Sequence, residues 1–240
     1  MTKEDKLNNE ILRIDNMAAF QRSLSGETKY VFGIDEAGRG PLCGPVVAGC
    51  CILPEDCRIL YLNDSKKLSE QKREALYDEI VSNAYAWGIG IASAERIDEI
   101  NILNATYEAM AEAFENCLNM YKDRVLTLNV SNGFLRDSMD CIDGFPSVTD
   151  SIVLVDGNKT VPGIAYDQLC VIGGDAKCPS VSAASILAKV TRDRMMKELD
   201  NIYPEYGFAS NKGYGTKQHY QAIRQYGILD IHRRSFLRNI

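Results

Sequence analysis

Short apolar segments rich in β-branched residues alternate along the chain with longer segments whose apolar residues recur every three or four positions. The first pattern is typical of buried strands and the second of amphipathic helices. Strands are predicted at 30–35, 46–53, 85–92, 152–155 and 169–172. Because three strands come first and helices then alternate with strands, we expect an α/β domain with a central mixed five-stranded sheet flanked by helices.

Helices are predicted at 69–83, at 93 to about 118, at 180–200 and at 216–226. Ser69 and Ser93 are good N-caps for the first two of these. Residues 1–28 are predicted to form a polar, partly amphipathic helix followed by a loop. A hairpin over 125–130, with its turn at 131–133, is the prediction for the segment that is hardest to interpret.

The composition is that of an ordinary globular protein, with 240 residues of which 45% are hydrophobic and 25% charged. That length can bury one sizeable core, which favours one large domain with or without an appendage. No apolar run approaches the roughly 18–20 residues that span a membrane. The N-terminus is polar and has no apolar signal-peptide region. We therefore expect a soluble, cytoplasmic protein.

The chain has eight cysteines and two histidines, His219 and His232. No two cysteines form a CxxC pair, and most lie in apolar segments. We interpret them as small buried hydrophobic residues and not as disulfides or zinc ligands. His232 has no clear catalytic partner and is expected to be structural.

The charge is distributed unevenly. The net charge of the chain is −6, but residues 176–240 carry 11 Lys and Arg against 5 Asp and Glu, a net +6, which leaves about −12 on the rest. A basic C-terminal segment on an acidic protein could be a phosphate-facing surface. A solvated helix face is an equally good interpretation of the charge alone.

Three of the predicted strands end in acidic residues, at Asp35-Glu36, Asp156 and close to Asp175. Ligands of open α/β sheets bind at strand ends. Carboxylates gathered there would repel one another unless a cation neutralised them, and oxygen ligands without histidine favour Mg²⁺ or Mn²⁺. Four carboxylates suit two ions about 3.5–4 Å apart, as in phosphoryl transfer. An aspartate after a strand, taken singly, is more often a turn or cap residue.

A series of motifs then occurs in a fixed order from residue 30 to residue 236. It resembles the ribonuclease HII family, of the bacterial type. The first motif is GIDEAGRGPLCGPVV at 33–47, and the others are DSKKL at 64–68, NILNAT at 101–106, VDG at 155–157, GDAK at 174–177, SAASILAKVTRD at 182–193, KGYGT at 212–216 and IHRRSF at 231–236.

The resemblance implies an RNase H-like fold and hydrolysis of the RNA strand of RNA–DNA hybrids. It also implies incision 5′ to a ribonucleotide embedded in duplex DNA, leaving 3′-hydroxyl and 5′-phosphate ends, in replication and ribonucleotide excision repair. Asp35, Glu36, Asp156 and Asp175 fall on the family's metal-binding positions. We expect Asp35 to bridge two Mn²⁺ or Mg²⁺ ions, with Glu36 and Asp156 completing one site and Asp175 the other.

Further motif positions acquire substrate roles through the same resemblance. Gly38, Arg39 and Gly40 match the loop that recognises the ribose 2′-hydroxyl, since glycines let a backbone approach the sugar closely. Tyr214 matches a tyrosine that stacks on the deoxyribose 3′ of the ribonucleotide.

Two other positions have weaker substrate assignments. Lys66 matches a phosphate-contacting lysine. Ser185 belongs to a run of small side chains opening a helix, which could contact a phosphate or simply pack closely on the sheet.

The family pattern also divides the chain. Residues 1–28 form an N-terminal helical extension, and 29–240 form the RNase H-like catalytic domain with an insertion at about 121–150. We expect a monomer that binds no membrane. Three rivals stay open: ribonuclease HIII, which carries a larger N-terminal domain; a non-catalytic module that binds RNA–DNA hybrids; and a metal-dependent phosphatase.

Overall fold

A central mixed sheet of five strands organises the protein, as predicted. The computed structural model describes residues 2–131 and 149–237. The strands lie in the order β3-β2-β1-β4-β5. Strands β1 to β3 pair antiparallel, whereas β4 pairs parallel with both β1 and β5. Their bounds are β1 Tyr30–Ala37, β2 Val46–Ile52, β3 Ala86–Ala92, β4 Ser151–Asp156 and β5 Asp167–Val171.

Six α-helices are described around this sheet. They are α1 Lys3–Ser25, α2 Glu70–Asn83, α3 Ala94–Ser131, α4 Pro179–Ile202, α5 Phe208–Asn211 and α6 Lys217–Tyr226. Ser69 and Thr216 cap α2 and α6 by accepting hydrogen bonds from backbone N–H groups, and Ser93 does the same at the start of α3. The predicted helix starts are therefore confirmed to within one or two residues.

Helices cover both faces of the sheet. Glycines in the strands leave room for the helix backbones to come close. A Cβ atom on Gly90 would lie 1.9 Å from the carbonyl oxygen of Ala109 in α3, and one on Gly33 would lie 2.2 Å from the carbonyl carbon of Ser180 in α4. The run of small residues at 180–185 is buried against β1 and β2. Close packing is thus the first role of that run.

The predicted hairpin over 125–130 is wrong. Helix α3 continues through these positions to Ser131. Extending an existing helix adds one hydrogen bond per residue without a new nucleation cost, which outweighs the strand preference of a few β-branched residues. The predicted turn falls at the end of α3, and its last two residues lie outside the described ones.

Helix α3 is interrupted once. Asn101 has φ 69° and ψ 162°, and its side-chain oxygen accepts hydrogen bonds from the N–H groups of Leu103 and Asn104. It therefore restarts the helix as an internal N-cap.

Helix α1 packs onto the domain. Ile14 and Met17 are buried in the same apolar cluster as α2 and α4. The Gln21 side-chain oxygen accepts hydrogen bonds from both the N–H and the hydroxyl of Ser180, at 3.0 and 2.8 Å. Since the N-cap Cys178 of α4 makes no side-chain cap bond, Gln21 caps this helix from outside.

Seven of the eight cysteines lie in the described residues, and all seven are free. Five of them are buried, as expected of small hydrophobic residues: Cys43, Cys50, Cys51, Cys117 and Cys178. Among the helices that the structure describes, none has the length and apolar character needed to cross a membrane.

Candidate active site

The four predicted carboxylates meet at one edge of the sheet. Asp35 and Glu36 lie near the end of β1, and Asp156 is the last residue of β4. The parallel register pairs Ile34 with Val155, so the residues that follow them, Asp35 and Asp156, are close enough for their charges to interact. Asp175 lies in a short 3₁₀ turn that follows β5. The carboxylates that the sequence predicted at strand ends therefore lie close together in the structure.

Asp35 is the buried centre of this group, 5% exposed. Burial and the charges of Glu36 and Asp156 raise its pKa well above the ordinary value. Its carboxylate accepts hydrogen bonds from the Glu36 N–H, at 2.7 Å, and from the Ser185 hydroxyl. The two hydrogen bonds therefore fix the direction of the carboxyl group, whereas burial and the neighbouring charges disfavour its ionised form.

Glu36 sits nearer the surface. One of its oxygens lies 3.4 Å from Nη1 of Arg39, whose side chain is half exposed. Burial raises the pKa of Glu36 more than the positive charge of Arg39 lowers it. Arg39 can swing away from this long, exposed contact at little cost.

Asp156 and Asp175 face each other across the end of the sheet. The Gly174 N–H donates to Oδ1 of Asp156 at 2.7 Å, which ties the β5 turn to β4. Burial and the charges of Asp156 and Asp64 raise the pKa of Asp175 to about 6. The carboxyl side chain of Asp64 also hydrogen-bonds Asp175.

Asp64 is a fifth carboxylate that the sequence reasoning did not assign. It lies in a loop before a 3₁₀ turn, and its Oδ1 accepts from the Lys66 N–H at 2.9 Å. No strand ends there, so hydrophobic patterning gave no sign of it. The DSKKL motif was the available signal. We call Asp35, Glu36, Asp64, Asp156 and Asp175 the carboxylate cluster.

Lys66 lies beside the carboxylate cluster. Burial lowers its pKa, but the charges of Asp35, Asp64 and Asp175 outweigh that effect and raise the pKa above the ordinary value. The ammonium group is therefore charged and can neutralise part of the cluster or contact a phosphate.

The carboxylate cluster fits a hard divalent cation. Its donors are all oxygens, and burial with mutual repulsion raises the pKa of Asp35, Glu36 and Asp175. A bound cation would compensate the repulsion between the carboxylates. Ligand sets made only of oxygens suit Mg²⁺ or Mn²⁺.

The loop after β1 makes a sharp turn at Gly38, where φ is +100°. A Cβ atom there would lie 2.1 Å from Nε of Arg192. Only glycine meets both conditions. Gly40 has no such restriction: a Cβ on it would touch only the Tyr214 ring, at 3.6 Å. The predicted Gly-Arg-Gly loop and Tyr214 are thus neighbours.

Two fully buried arginines hold these loops. All five N–H donors of the Arg233 guanidinium bond to carbonyl oxygens, at 2.6–3.0 Å, and those oxygens belong to Gly38, Arg39, Pro41 and Gly44. The Arg192 guanidinium donates to the carbonyls of Cys43, Pro45 and Lys212. We call residues 38–45 and 212–214 the arginine-held loops.

Neither arginine was assigned from the sequence, because their partners are backbone groups far along the chain. Burial, and the charge of Arg192, lower the pKa of Arg233 to about 9, so its guanidinium is charged at neutral pH.

Tyr214 and Ser185 differ in accessibility. Tyr214 is 45% exposed next to Gly40, where a flat partner can reach its ring. Ser185 is buried, and its hydroxyl bonds Asp35 and the Ser65 hydroxyl. The Ser185 hydroxyl is therefore directed at Asp35 and Ser65 and not at solvent, and its predicted phosphate contact stays a prediction.

Comparison with known proteins shows to which family the chain belongs. The family model described as Ribonuclease HII matches residues 32–239. This chain belongs to the ribonuclease HII family. It is 47% identical over 236 residues to a Ribonuclease HII of Lachnoclostridium phytofermentans, covering 98% of this chain and 81% of the relative. A Clostridioides difficile Ribonuclease HII is also 47% identical, with 99% and 82% covered.

Solved structures place the fold with ribonucleases H. The ribonuclease H2 of Pyrococcus horikoshii OT3 superposes with a TM-score of 0.57 at 28% identity, covering 86% of this chain and 93% of that one. A Bst-RNase HIII superposes with a TM-score of 0.58 at 14% identity, covering 88% and 65%, which shows the fold alone. The RNase H-like fold is confirmed, and family membership makes the chain a ribonuclease H, a hydrolase.

The ribonuclease HII chain also contains a buried group of Cys43, His219 and His232, whose ligand atoms lie within 4.8 Å of one another. Leu229 N–H donates to Nδ1 of His232 at 2.9 Å, so that nitrogen must be an acceptor. His232 Nε2–H then donates to His219 Nε2, and His219 Nδ1–H donates to the Tyr214 carbonyl.

This chain of hydrogen bonds is complete with both imidazoles neutral. A metal on Nε2 of His232 would require its imidazolate, which argues against a zinc site. The histidines instead support the Tyr214 loop.

The basic C-terminal segment presents fewer free cations than its composition suggests. Arg192 and Arg233 are buried. Five further cations form ion pairs: Lys189 with Asp193, Arg194 with Glu74, Lys197 and Lys212 with Glu70, and Arg234 with Asp230. Fewer cations of this segment are therefore available to contact phosphates, and the interpretation as a phosphate-facing surface stays a prediction.

Proposed function

We propose that this ribonuclease HII is a divalent-metal-dependent endonuclease that hydrolyses the RNA strand of RNA–DNA hybrids and incises 5′ to single ribonucleotides in duplex DNA, acting as a monomer. The observation that carries the proposal is the position of the carboxylate cluster directly beside the Gly-Arg-Gly loop and exposed Tyr214. A site for phosphodiester chemistry thus adjoins one that can examine a sugar.

Asp35, Glu36, Asp156 and Asp175 would hold two Mg²⁺ or Mn²⁺ ions, which supply an activated water and neutralise charge on the phosphate and the departing 3′ oxygen. Asp35, whose direction is fixed by the Ser185 hydroxyl and the Glu36 N–H, would be the ligand shared by both ions. The charged Lys66 lies where it can bind a phosphate oxygen. Attack of that activated water on the phosphorus with departure of the 3′ oxygen would leave 3′-hydroxyl and 5′-phosphate ends.

The sugar-recognition part of the proposal rests on Gly40 and Tyr214. The exposed loop backbone can come close to a ribose 2′-hydroxyl, which distinguishes RNA from DNA. The Tyr214 ring beside it can lie flat on the next sugar, where a deoxyribose fits better than a ribose. Together they would select an RNA–DNA junction.

Three duplexes test this proposal: one with a single ribonucleotide, one with four and one with an all-RNA strand, each incubated with Mg²⁺, Mn²⁺ or EDTA. We expect incision 5′ to the single ribonucleotide with either metal and none with EDTA. The Asp35→Asn variant controls for contaminating nucleases. Binding without cleavage under every condition would instead indicate a non-catalytic hybrid-binding module.

A further inference from the structure

The buried guanidinium of Arg233 lies directly beneath the Gly-Arg-Gly loop. We propose that Arg233 is a positioning residue that holds the N–H groups of Arg39 and Gly40 outward, where they donate hydrogen bonds to the 2′-hydroxyl oxygen of the ribonucleotide. The inference rests on the proposed function for its ligand. The direction of the two N–H groups follows from this structure alone.

The direction of the amides comes from peptide geometry. Arg233 Nη2 donates to the carbonyl of Gly38 at 2.6 Å, and Nη1 donates to that of Arg39 at 3.0 Å. In a trans peptide the C=O bond and the following N–H bond point in opposite directions, and no described peptide is cis. With both carbonyls turned inward to Arg233, the N–H groups of Arg39 and Gly40 are turned outward.

These two amides differ from the positions that follow the other two carbonyls bound by Arg233. Arg233 also binds the carbonyls of Pro41 and Gly44, but Leu42 N–H donates to the Gly213 carbonyl, and residue 45 is a proline with no N–H. Within the described residues, neither the Arg39 N–H nor the Gly40 N–H donates a hydrogen bond. Both residues are exposed beside Tyr214. Two adjacent donors therefore face the side on which the sugar must lie.

Arginine suits this task because its planar guanidinium offers five donors in a fixed fork. All five are used here, on four carbonyls that come from one tight loop. A lysine has three donors and cannot reach all four oxygens. The loop is thus held in its donating conformation before substrate arrives, and no rearrangement is needed on binding.

Equilibrium binding tests the inference without relying on catalysis. Dissociation constants are measured with Ca²⁺ for two duplexes of the same sequence, one all-DNA and one with a single ribonucleotide. The proteins are the unaltered chain, Arg233→Lys and Leu76→Ala. Leu76 is buried between α2 and α4, so its variant loses stability without touching the loop. Melting temperatures are recorded for all three.

We expect Arg233→Lys to lose about tenfold of the preference for the ribonucleotide duplex, the size of one or two hydrogen bonds, while affinity for the all-DNA duplex changes little. Leu76→Ala should keep the preference. An unchanged preference in folded Arg233→Lys would overturn the inference. If the unaltered chain itself showed no preference, the proposed function would fail instead.

Amide NMR signals of the unaltered chain give a second test that does not depend on a variant folding. Adding the ribonucleotide duplex should shift the Arg39 and Gly40 amide protons downfield and slow their exchange with water, and the all-DNA duplex should not. If these two signals respond equally to both duplexes, the amides do not read the 2′-hydroxyl, and the assignment of Arg233 is wrong.

Discussion

The carboxylate cluster and the arginine-held loops are adjacent, yet they are stabilised in opposite ways. In the cluster, like charges are buried together, and the pKa values of Asp35 and Asp175 rise in consequence. In the loops, each buried cation is surrounded by carbonyl oxygens. One region therefore depends on a ligand to relieve repulsion, whereas the other has its hydrogen bonds satisfied beforehand. The proposed catalytic and recognition parts of one site thus have different electrostatic requirements.

Asp35→Asn should have the largest effect on the function of the carboxylate cluster. We expect the cleavage rate to fall by about 10³-fold or more, because the proposed metal site would lose its most buried carboxylate ligand. The melting temperature in EDTA should rise, since the repulsion with Glu36 and Asp156 is removed. Single-turnover cleavage and thermal unfolding measure the two effects. A lower melting temperature in EDTA would contradict our account of the cluster.

Gly38→Ala should destabilise the arginine-held loops. The new Cβ would meet Arg192 at 2.1 Å on a backbone with φ +100°, so we expect a loss of ~3 kcal/mol or more in unfolding free energy. Gly40→Ala is the matched control and should cost less than about 1 kcal/mol. Urea unfolding of both variants measures the difference. Equal losses would show that the loop is not held as described.

Acid should weaken the loops through His232. Burial and the neighbouring His219 lower the pKa of His232 to about 4. The folded pKa is below the unfolded one, so this stabilisation is complete above about pH 6.5 and is lost as pH falls toward 4. Between pH 7 and pH 5 we expect His232→Gln to lose roughly 1–2 kcal/mol less unfolding free energy than the unaltered chain. Parallel pH dependences would contradict this.

The last effect concerns Asp175; it is similar in size to that of His232 and opposite in sign. Its folded pKa, about 6, exceeds the unfolded value, so metal-free protein loses stability as pH rises from about 4 through 6. Asp175→Asn should gain roughly 1–2 kcal/mol at pH 7 in EDTA, a figure reduced because water reaches part of the carboxyl group. Titration calorimetry should also show tighter Mn²⁺ binding at pH 7 than at pH 5.5 in the unaltered chain.

Local sequence patterns predicted most of the strands and helices. They did not predict several of the contacts between residues that are far apart in the chain. Strand ends at Asp35 and Asp156 were predictable because apolar runs mark strands and parallel strands bring their ends together. Asp64 was not, since it lies in a loop that no periodicity describes. Arg233 was not, because its four partners are backbone oxygens nearly 200 positions away. The hairpin failed because continuation of α3 overrode local preference.

The order of strands also bears on how the enzyme is made. Strands β1 to β3 are neighbours both in sequence and in the sheet, so this half can pair soon after synthesis. Strand β4 must pair with β1 across a separation of about 120 residues, since Tyr30 lies opposite Ser151. A growing chain therefore carries Asp35 long before Asp156 exists. The repelling carboxylates would then meet only after the first three strands have paired, which would make the carboxylate cluster a late product of folding.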